Sequence, residues 1–313
     1  MPGIFGFRLH TWRDLAGGWR LVISVTSSEL AIDSFSFHRF FGECSKWETP
    51  SETKWQLSDF LDFATSQSIK LVTLQTAYLD PAKILEDAAL QNWQRAGGRT
   101  LLTWGHPNGC DGGHNLAALA SARTWLDISA ELGAPQMRIV LGNHFNYEQP
   151  ANERFELIRP ELERLLEYAI ARKVQISIEN HADLNVPILF EFITSFASDH
   201  LGLCFDFGNS YRVGDDLTQL VDDLDIAKIF MVQAKAIKRD PNQPTGPTTP
   251  VGWWPTVRYG TGDVHPAPLI NRLLERGLSA PVAIEMSNLD TGLTEIDIAT
   301  DAISYLRELT PLR

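Results

Sequence analysis

The feature that most constrains the fold of this chain is a regular alternation of short β-like runs and longer amphipathic segments from Leu30 onward. Several short runs are apolar throughout their middle, which is typical of parallel strands buried on both faces. We predict eight strands, at residues 30–37, 70–79, 99–106, 136–143, 174–180, 201–207, 227–235 and 280–286. The count of eight favours a closed (β/α)8 TIM barrel, an α/β fold, over an open doubly wound sheet.

The domain organisation follows from the same alternation. A length of 313 residues is compatible with one or two domains, and we expect a single barrel domain over residues 29–313. Residues 1–28 contain three arginines around the short run LVISV, with no clear cleavage site. We expect this segment to be a flexible extension or the product of an upstream start, with a poor secretory signal as the alternative.

Helix signals lie between the predicted strands. Thr49-Pro50-Ser51-Glu52 has the pattern of a capping box, and Asp80-Pro81 combines a capping side chain with a proline. Both predict that a helix begins there. Apolar residues at helical spacing predict further helices at 115–132, 161–173 and 294–309.

Charge and cysteine content exclude several classes of protein. The net charge of −12 argues against a nucleic-acid surface, which needs clustered Lys and Arg. The three cysteines are odd in number and widely spaced, which indicates neither a disulfide framework nor a zinc knuckle and favours the cytoplasm. The sequence has no run of 18 consecutive apolar residues, so we predict no membrane span.

One connection, the strand 7 to strand 8 loop at residues 236–265, is much longer than the others. It is rich in Pro and Gly and contains Trp253 and Trp254. Because long loops in compact domains are usually functional or disordered, we expect a lid, a substrate wall or a partner interface, with a mobile linker as the alternative.

Candidate functional residues lie where the predicted strands end, since TIM-barrel active sites are built at the carboxyl ends of the strands. Read in chain order, these positions hold His38, His106, His144, Glu179, His181, Asp206, Asn209, Gln233, Lys235 and Glu285. Three of them, Glu179, Asp206 and Glu285, are carboxylates that cannot all ionise in a buried site without a counter-charge. A single divalent ion would supply that charge, and the oxygen-rich donor set suits Mn²⁺, Mg²⁺ or Co²⁺, with Zn²⁺ also compatible.

Several motifs, in chain order, resemble those of the xylose isomerase-like sugar isomerase/epimerase superfamily. They are ISIENH, LCFDFGNSYRVGDD, FMVQAK, RYGTGD and VAIEMS, within residues 136–287. The resemblance implies a metal held by Glu, Asp, His and Glu from strands 5 to 8, which correspond here to Glu179, Asp206, Gln233 and Glu285. Gln233 stands in place of the usual histidine, and its amide oxygen can still coordinate a hard cation. Asn209 stands where some epimerases of the family carry histidine.

The resemblance also assigns roles to these side chains. Glu179 and Glu285 would exchange the proton next to a substrate carbonyl, while Arg258 and Lys235 correspond to residues near the substrate. His144 is a candidate general base or a loop histidine bonded to backbone. His106, His181, Asn209 and, more weakly, His38 are candidates for substrate contact.

The leading hypothesis is therefore a divalent-metal-dependent isomerase or epimerase acting on a sugar, keto-sugar or inositol. A metal-dependent lyase is the alternative, either a dehydratase or an enzyme that cleaves C-glycosides, whose flat aglycone the two tryptophans would suit. An endonuclease and a non-catalytic ligand-binding barrel are minor alternatives. The expected partner is a small carbohydrate or glycoside, and the sequence leaves open a homo-oligomer or a small partner subunit.

Overall fold

The computed structural model describes residues 8–13, 19–24, 28–45, 48–240, 254–290 and 292–312. Eight parallel strands form a closed barrel with helices outside it, which confirms the predicted TIM barrel. The barrel strands are β3 (Leu30–Asp33), β4 (Leu71–Gln75), β5 (Arg99–Trp104), β6 (Gln136–Ile139), β7 (Gln175–Glu179), β8 (Leu201–Asp206), β9 (Ile229–Ala234) and β10 (Val282–Ile284). Strand β10 pairs with both β9 and β3, and this pairing closes the barrel.

Before the barrel, β1 (Arg8–Arg13) and β2 (Trp19–Ser24) pair as an antiparallel hairpin. The sequence analysis did not predict these strands, and the other residues of the 1–28 segment, apart from Ser28, lie outside the described ranges. Within the described part of the chain, no helix is both long and apolar enough to cross a membrane.

Nine helices are described: α1 (Leu57–Ser66), α2 (Ala88–Arg95), α3 (Leu119–Glu131), α4 (Ala151–Ala171), α5 (Val186–Thr194), α6 (Phe207–Val213), α7 (Leu217–Asp223), α8 (Pro266–Glu275) and α9 (Glu295–Leu309). Two predicted helix starts are wrong. Gln56 and Asp59, not Thr49 and Glu52, form the capping box of α1. The Asp80 carboxylate accepts from the Ala82 N–H in a local turn, and Asp87 caps α2 by accepting from Leu90 N–H.

The described parts of the long loop after β9 are held against the barrel end. Thr256 forms backbone bridges with Ile237 and Leu289. Trp254 is only 2% exposed and packs near Tyr211, with the two ring centroids 5.5 Å apart. The structure therefore does not support an exposed stacking surface at Trp254, and Trp253 lies outside the described residues.

Candidate active site

Inside the barrel, successive inward-facing side chains form two layers, because side chains two residues apart on a strand point the same way. The lower layer is apolar and packs as its own cluster: Ala31, Leu71, Leu101, Ala134, Cys204, Met231 and Ala283. The upper layer, one inward position further along the strands, is polar and equally buried, with Asp33, Arg138, Asp206, Gln233 and Glu285 among its members. The apolar layer lies beneath the site, and the polar layer forms its floor.

Three carboxylates meet in the upper layer. Glu179 ends β7, Asp206 ends β8, and Glu285 directly follows β10. They are 3%, 0% and 3% exposed, and one oxygen from each lies within 4.8 Å of the others. The structure thus brings together the three acids that the sequence analysis selected as metal ligands.

Two buried cations accompany these acids. The Lys235 Nζ lies 2.6 Å from Asp206 Oδ2 and 2.6 Å from Glu285 Oε1. The Arg138 Nε lies 3.1 Å from Glu179 Oε2, and its guanidinium reaches within 4.0 Å of Glu285. Each acid of the cluster therefore already has an internal counter-charge.

Arg138 and Asp33 were not selected by the sequence analysis. Arg138 interrupts the apolar run QMRIV of β6, and an arginine in such a run is the signal that could have identified it. Asp33 ends β3 and accepts hydrogen bonds from Thr73 Oγ1 at 2.6 Å and Phe35 N–H at 2.7 Å. Both residues belong to the same buried polar layer as the three acids.

Burial dominates the electrostatics of this layer. Burial raises the pKa of Glu179 to about 8, against the opposing effect of Arg138. It also raises the pKa of Asp206 to about 6, where Lys235 opposes it, and that of Asp33 to about 7, where Glu285 adds to it. The carboxylates in turn raise the pKa of Arg138 and Lys235, so both cations keep their charge.

Two amide side chains orient the acids. Asn209 Nδ2 donates to Glu179 Oε1 at 3.0 Å, and its backbone N–H donates to Asp206 Oδ1 at 2.7 Å, so that Asp206 caps α6. The Gln233 amide nitrogen donates to Glu285 Oε2, while its oxygen accepts from the Cys204 thiol at 3.4 Å. In this orientation the Gln233 oxygen points away from the carboxylates.

The donor set fits a divalent ion on two observations. The three carboxylate oxygens converge within 4.8 Å, and Glu179 Oε2 and Asp206 Oδ2 are engaged by the Arg138 and Lys235 cations but by no neutral donor among the described residues. An ion bound there would meet the Lys235 ammonium at Asp206 and Glu285. The Gln233 oxygen could join the ligands of this ion only if the amide group flipped, so that its oxygen and nitrogen exchanged places.

Above the acids lies a cavity of about 380 Å³, and the histidines predicted to be functional all line it: His38, His106, His144 and His181. A loop after β3 closes one side of the cavity with two glutamates. Glu48 Oε1 lies 2.8 Å from His38 Nε2, and Glu43 Oε1 lies 2.6 Å from His106 Nε2. These two acids of the cavity wall were also missed by the sequence analysis.

His181 is a partly buried histidine of this wall. Burial, together with the nearby His106 and Lys235, lowers the pKa of His181, so that its ring stays neutral. Its Nδ1 lies 3.1 Å from the Gly142 carbonyl oxygen, which can only accept. Nδ1 therefore carries the proton, and Nε2 is an acceptor.

Arg258, unlike the other candidates, belongs neither to the cavity lining nor to the buried polar layer below it. Its side chain is about half exposed and lies 3.4 Å from Asp301 of α9. It lies on the loop after β9 and pairs with α9, so its position gives no support for substrate contact.

Fold and site can be compared with known proteins. Residues 59–309 match the family described as xylose isomerase-like TIM barrel. Because the match covers most of the chain, this protein belongs to that family. Comparison with curated protein sequences finds no significant match.

Solved structures resemble the chain over nearly its whole length. The IolI protein with a zinc atom has a TM-score of 0.65 and 18% identity, covering 90% of this chain and 96% of its own. An L-ribulose 3-epimerase has a TM-score of 0.65 and 16% identity, covering 90% and 94%. A xylose isomerase-like TIM barrel protein from Mycobacterium smegmatis in complex with magnesium has a TM-score of 0.65 and 15% identity, covering 91% and 96%. At these identities the likeness shows a shared fold.

Proposed function

We propose that this protein is an isomerase or epimerase that moves a proton next to the carbonyl of a sugar, keto-sugar or inositol. The observation that carries the proposal is the buried group of Glu179, Asp206 and Glu285 at the floor of a cavity of about 380 Å³. The fold shared with an L-ribulose 3-epimerase supports this class of reaction. The cavity volume is compatible with a small carbohydrate substrate.

Glu179 and Glu285 are the proposed proton carriers. Burial raises the pKa of Glu179 to about 8, and an acid–base group works best when its pKa lies near the working pH. Asn209 and Arg138 fix the Glu179 carboxylate, and Gln233 and Lys235 fix that of Glu285. Two restrained carboxylates can remove a proton from one carbon and return it to the same or an adjacent carbon.

We further propose that Glu179, Asp206, Gln233 and Glu285 hold one divalent ion, with Mn²⁺ the first choice and Mg²⁺, Co²⁺ or Zn²⁺ as alternatives. When bound, such an ion polarises carbonyl and hydroxyl oxygens and stabilises an enediolate. Two structures of similar fold hold zinc and magnesium, respectively, which supports a divalent ion without selecting one.

The cavity wall supplies the groups that would orient the substrate. The His181 ring is neutral and can accept a hydrogen bond from a substrate hydroxyl through Nε2. His106 and His38, each beside a glutamate, would contribute further polar contacts, and His144 is proposed as an additional acid–base group. Lys235, which also lines the cavity, would face a substrate oxygen.

A lyase is the second candidate, and one observation favours it. Phe145 lines the cavity yet is 71% exposed, a high value for a large apolar side chain. It offers a flat surface to an aromatic group of a glycoside. In that case, proton removal would be followed by loss of the group on the neighbouring carbon.

The experiment is a panel of keto-sugars, inososes and aromatic C-glycosides incubated with the enzyme in deuterated water, with and without added Mn²⁺. Deuterium entering a recovered or isomeric sugar supports the isomerase, and release of the aglycone supports the lyase. We expect Glu179→Gln and Glu285→Gln to lower either activity about 100- to 10,000-fold, while the exposed Glu191→Gln serves as the matched control. Full activity in both active-site variants would overturn the proposed roles.

A further inference from the structure

The Lys235 ammonium occupies the point where two acids of the proposed metal site meet. It lies 2.6 Å from both Asp206 and Glu285, and the side chain is buried. An ion held by these two carboxylates and Glu179 would compete with the ammonium for the same oxygens. The cluster is therefore already neutralised in part by a group that belongs to the chain.

The path of the lysine side chain is built into the fold. A Cβ atom at Gly208 would lie 2.9 Å from Lys235 Cδ and 3.0 Å from Lys235 Cβ. Only a residue without a Cβ leaves room there for the lysine stem to pass over the start of α6. Gly208 is the second residue of α6, two positions after Asp206. The same turn of the chain therefore supplies both the Asp206 carboxylate and the room for the Lys235 side chain that pairs with it.

We propose that Lys235 is a built-in counterion of the acidic cluster, which a divalent ion displaces into the substrate cavity. The inference rests on the proposed function, because it concerns the same site. Arg138 pairs with Glu179 and can stay in place, so binding exchanges one positive charge for two at Asp206 and Glu285. Lys235 lines the cavity of about 380 Å³, which gives the displaced ammonium a place to go.

Two consequences follow from this exchange. The wild-type site binds a metal more weakly than the same acids would without the lysine, since the ion must first displace an existing partner. The released ammonium also adds a donor to the cavity at the moment the metal is in place. A substrate oxygen that binds this ammonium would then strengthen metal binding, because coupling between two ligands is reciprocal.

The test measures the dissociation constants of Mn²⁺ and Mg²⁺ by calorimetry for wild type, Lys235→Met and Lys238→Met. Lys238 lies three residues further along the chain and is exposed, so its variant controls for the loss of one charge. Charges a few ångströms apart interact strongly in a buried site, and we expect Lys235→Met to bind metal at least about tenfold more tightly than wild type. Lys238→Met should bind as wild type does.

The outcomes separate this inference from the proposed function. If wild type binds metal and Lys235→Met binds no more tightly, the counterion role is overturned and the metal site stands. If only Lys235→Met binds metal, Lys235 is a permanent counterion, and both its displacement by an ion and the metal dependence of the native enzyme are overturned. If neither binds metal, both are overturned.

A measurement on the wild type covers the case in which Lys235→Met does not fold. An amine-modifying reagent is applied with and without saturating Mg²⁺, and the modification of each lysine is followed by mass spectrometry. We expect the rate at Lys235 to rise with Mg²⁺ as the ammonium leaves the carboxylates, while Lys238 stays constant as the internal control. An unchanged or lower rate at Lys235 would overturn the displacement.

Discussion

The two layers inside the barrel have opposite chemical character, one apolar and one charged, although they lie on the same strands, one inward position apart. The lower layer contains Cys204, Met231 and Ala283, and the layer above it contains Asp206, Gln233 and Glu285. Both layers are buried, so exposure to solvent does not distinguish them. The lower layer is stabilised mainly by packing, with one hydrogen bond from the Cys204 thiol to Gln233, whereas the upper layer depends on pairing each charge with a specific partner.

The comparison shows where this fold tolerates buried charge. At the strand ends, backbone donors such as the Phe35 and Asn209 N–H groups reach the carboxylates. The strand interiors below have their own backbone groups engaged in the sheet and offer no such donors. Substitutions in the two layers should therefore destabilise the protein for different physical reasons.

The largest effect on stability is expected from Arg138→Met, which leaves Glu179 buried without its cation. Removing one partner of a buried ion pair costs about 3–5 kcal/mol, measured as the free energy of unfolding in urea. The double variant Arg138→Met with Glu179→Gln should regain part of the loss, since no unpaired charge remains. Equal losses in the single and the double variant would mean that Arg138 acts through packing and not through charge.

Met231→Ala tests the lower layer in the same assay. It removes a fully buried side chain from the apolar cluster, and a loss of about 2–5 kcal/mol is expected. Because no charge is touched, the metal dissociation constant of the folded variant should remain that of wild type. A changed metal affinity would show that the two layers are not independent.

The ion pair of Glu48 with His38 at the cavity wall should give a smaller, pH-dependent effect. His38 lowers the pKa of Glu48 to about 2, and Glu48 raises the pKa of His38 against burial. The charged pair thus stabilises the fold fully between about pH 4.5 and pH 6.5. Its contribution falls as the pH rises through the raised pKa of His38, and again as the pH falls towards that of Glu48.

Glu48→Gln should accordingly lose about 1.5–3 kcal/mol of unfolding free energy near pH 5.5 and less near pH 9. The exposed Glu52→Gln is the matched control and should equal wild type at both pH values. A loss that is the same at both values would show that the hydrogen bond matters and the charge does not.

The smallest effect on stability is expected from Gly208→Ala, whose new methyl group would push the Lys235 stem aside. Overpacking of this kind lowers the free energy of unfolding by about 1–3 kcal/mol. The variant should also bind Mn²⁺ more tightly than wild type, as we expect for Lys235→Met. In a Lys235→Ala background the same substitution should cost less, which a double-mutant cycle measures. If Gly208→Ala lowers the free energy of unfolding equally in both backgrounds, the new methyl group clashes with a residue other than Lys235.

The sequence determined the fold of this protein and the residues at its strand ends. All eight strands were predicted, because apolar runs of strand length are a local property that survives whatever they pack against. Glu179, Asp206 and Glu285 could be selected as a group because parallel strands in a barrel bring their carboxyl ends to one face. Local signals were less reliable at Thr49 and Asp80, where a capping pattern begins a turn or a loop and no helix follows directly.

Only the tertiary structure decided how the charges are balanced. From the sequence, a metal was the expected counter-charge of the three acids, whereas the structure places Arg138 and Lys235 beside them. It also buries Trp254, which does not line the cavity, and adds Glu43 and Glu48 to the cavity wall. Strand periodicity is set by neighbours along the chain, but an ion pair between β6 and β7, or between β8 and the residue that follows β9, exists only once the barrel has closed. The identity of each partner therefore depends on distances that no local pattern contains.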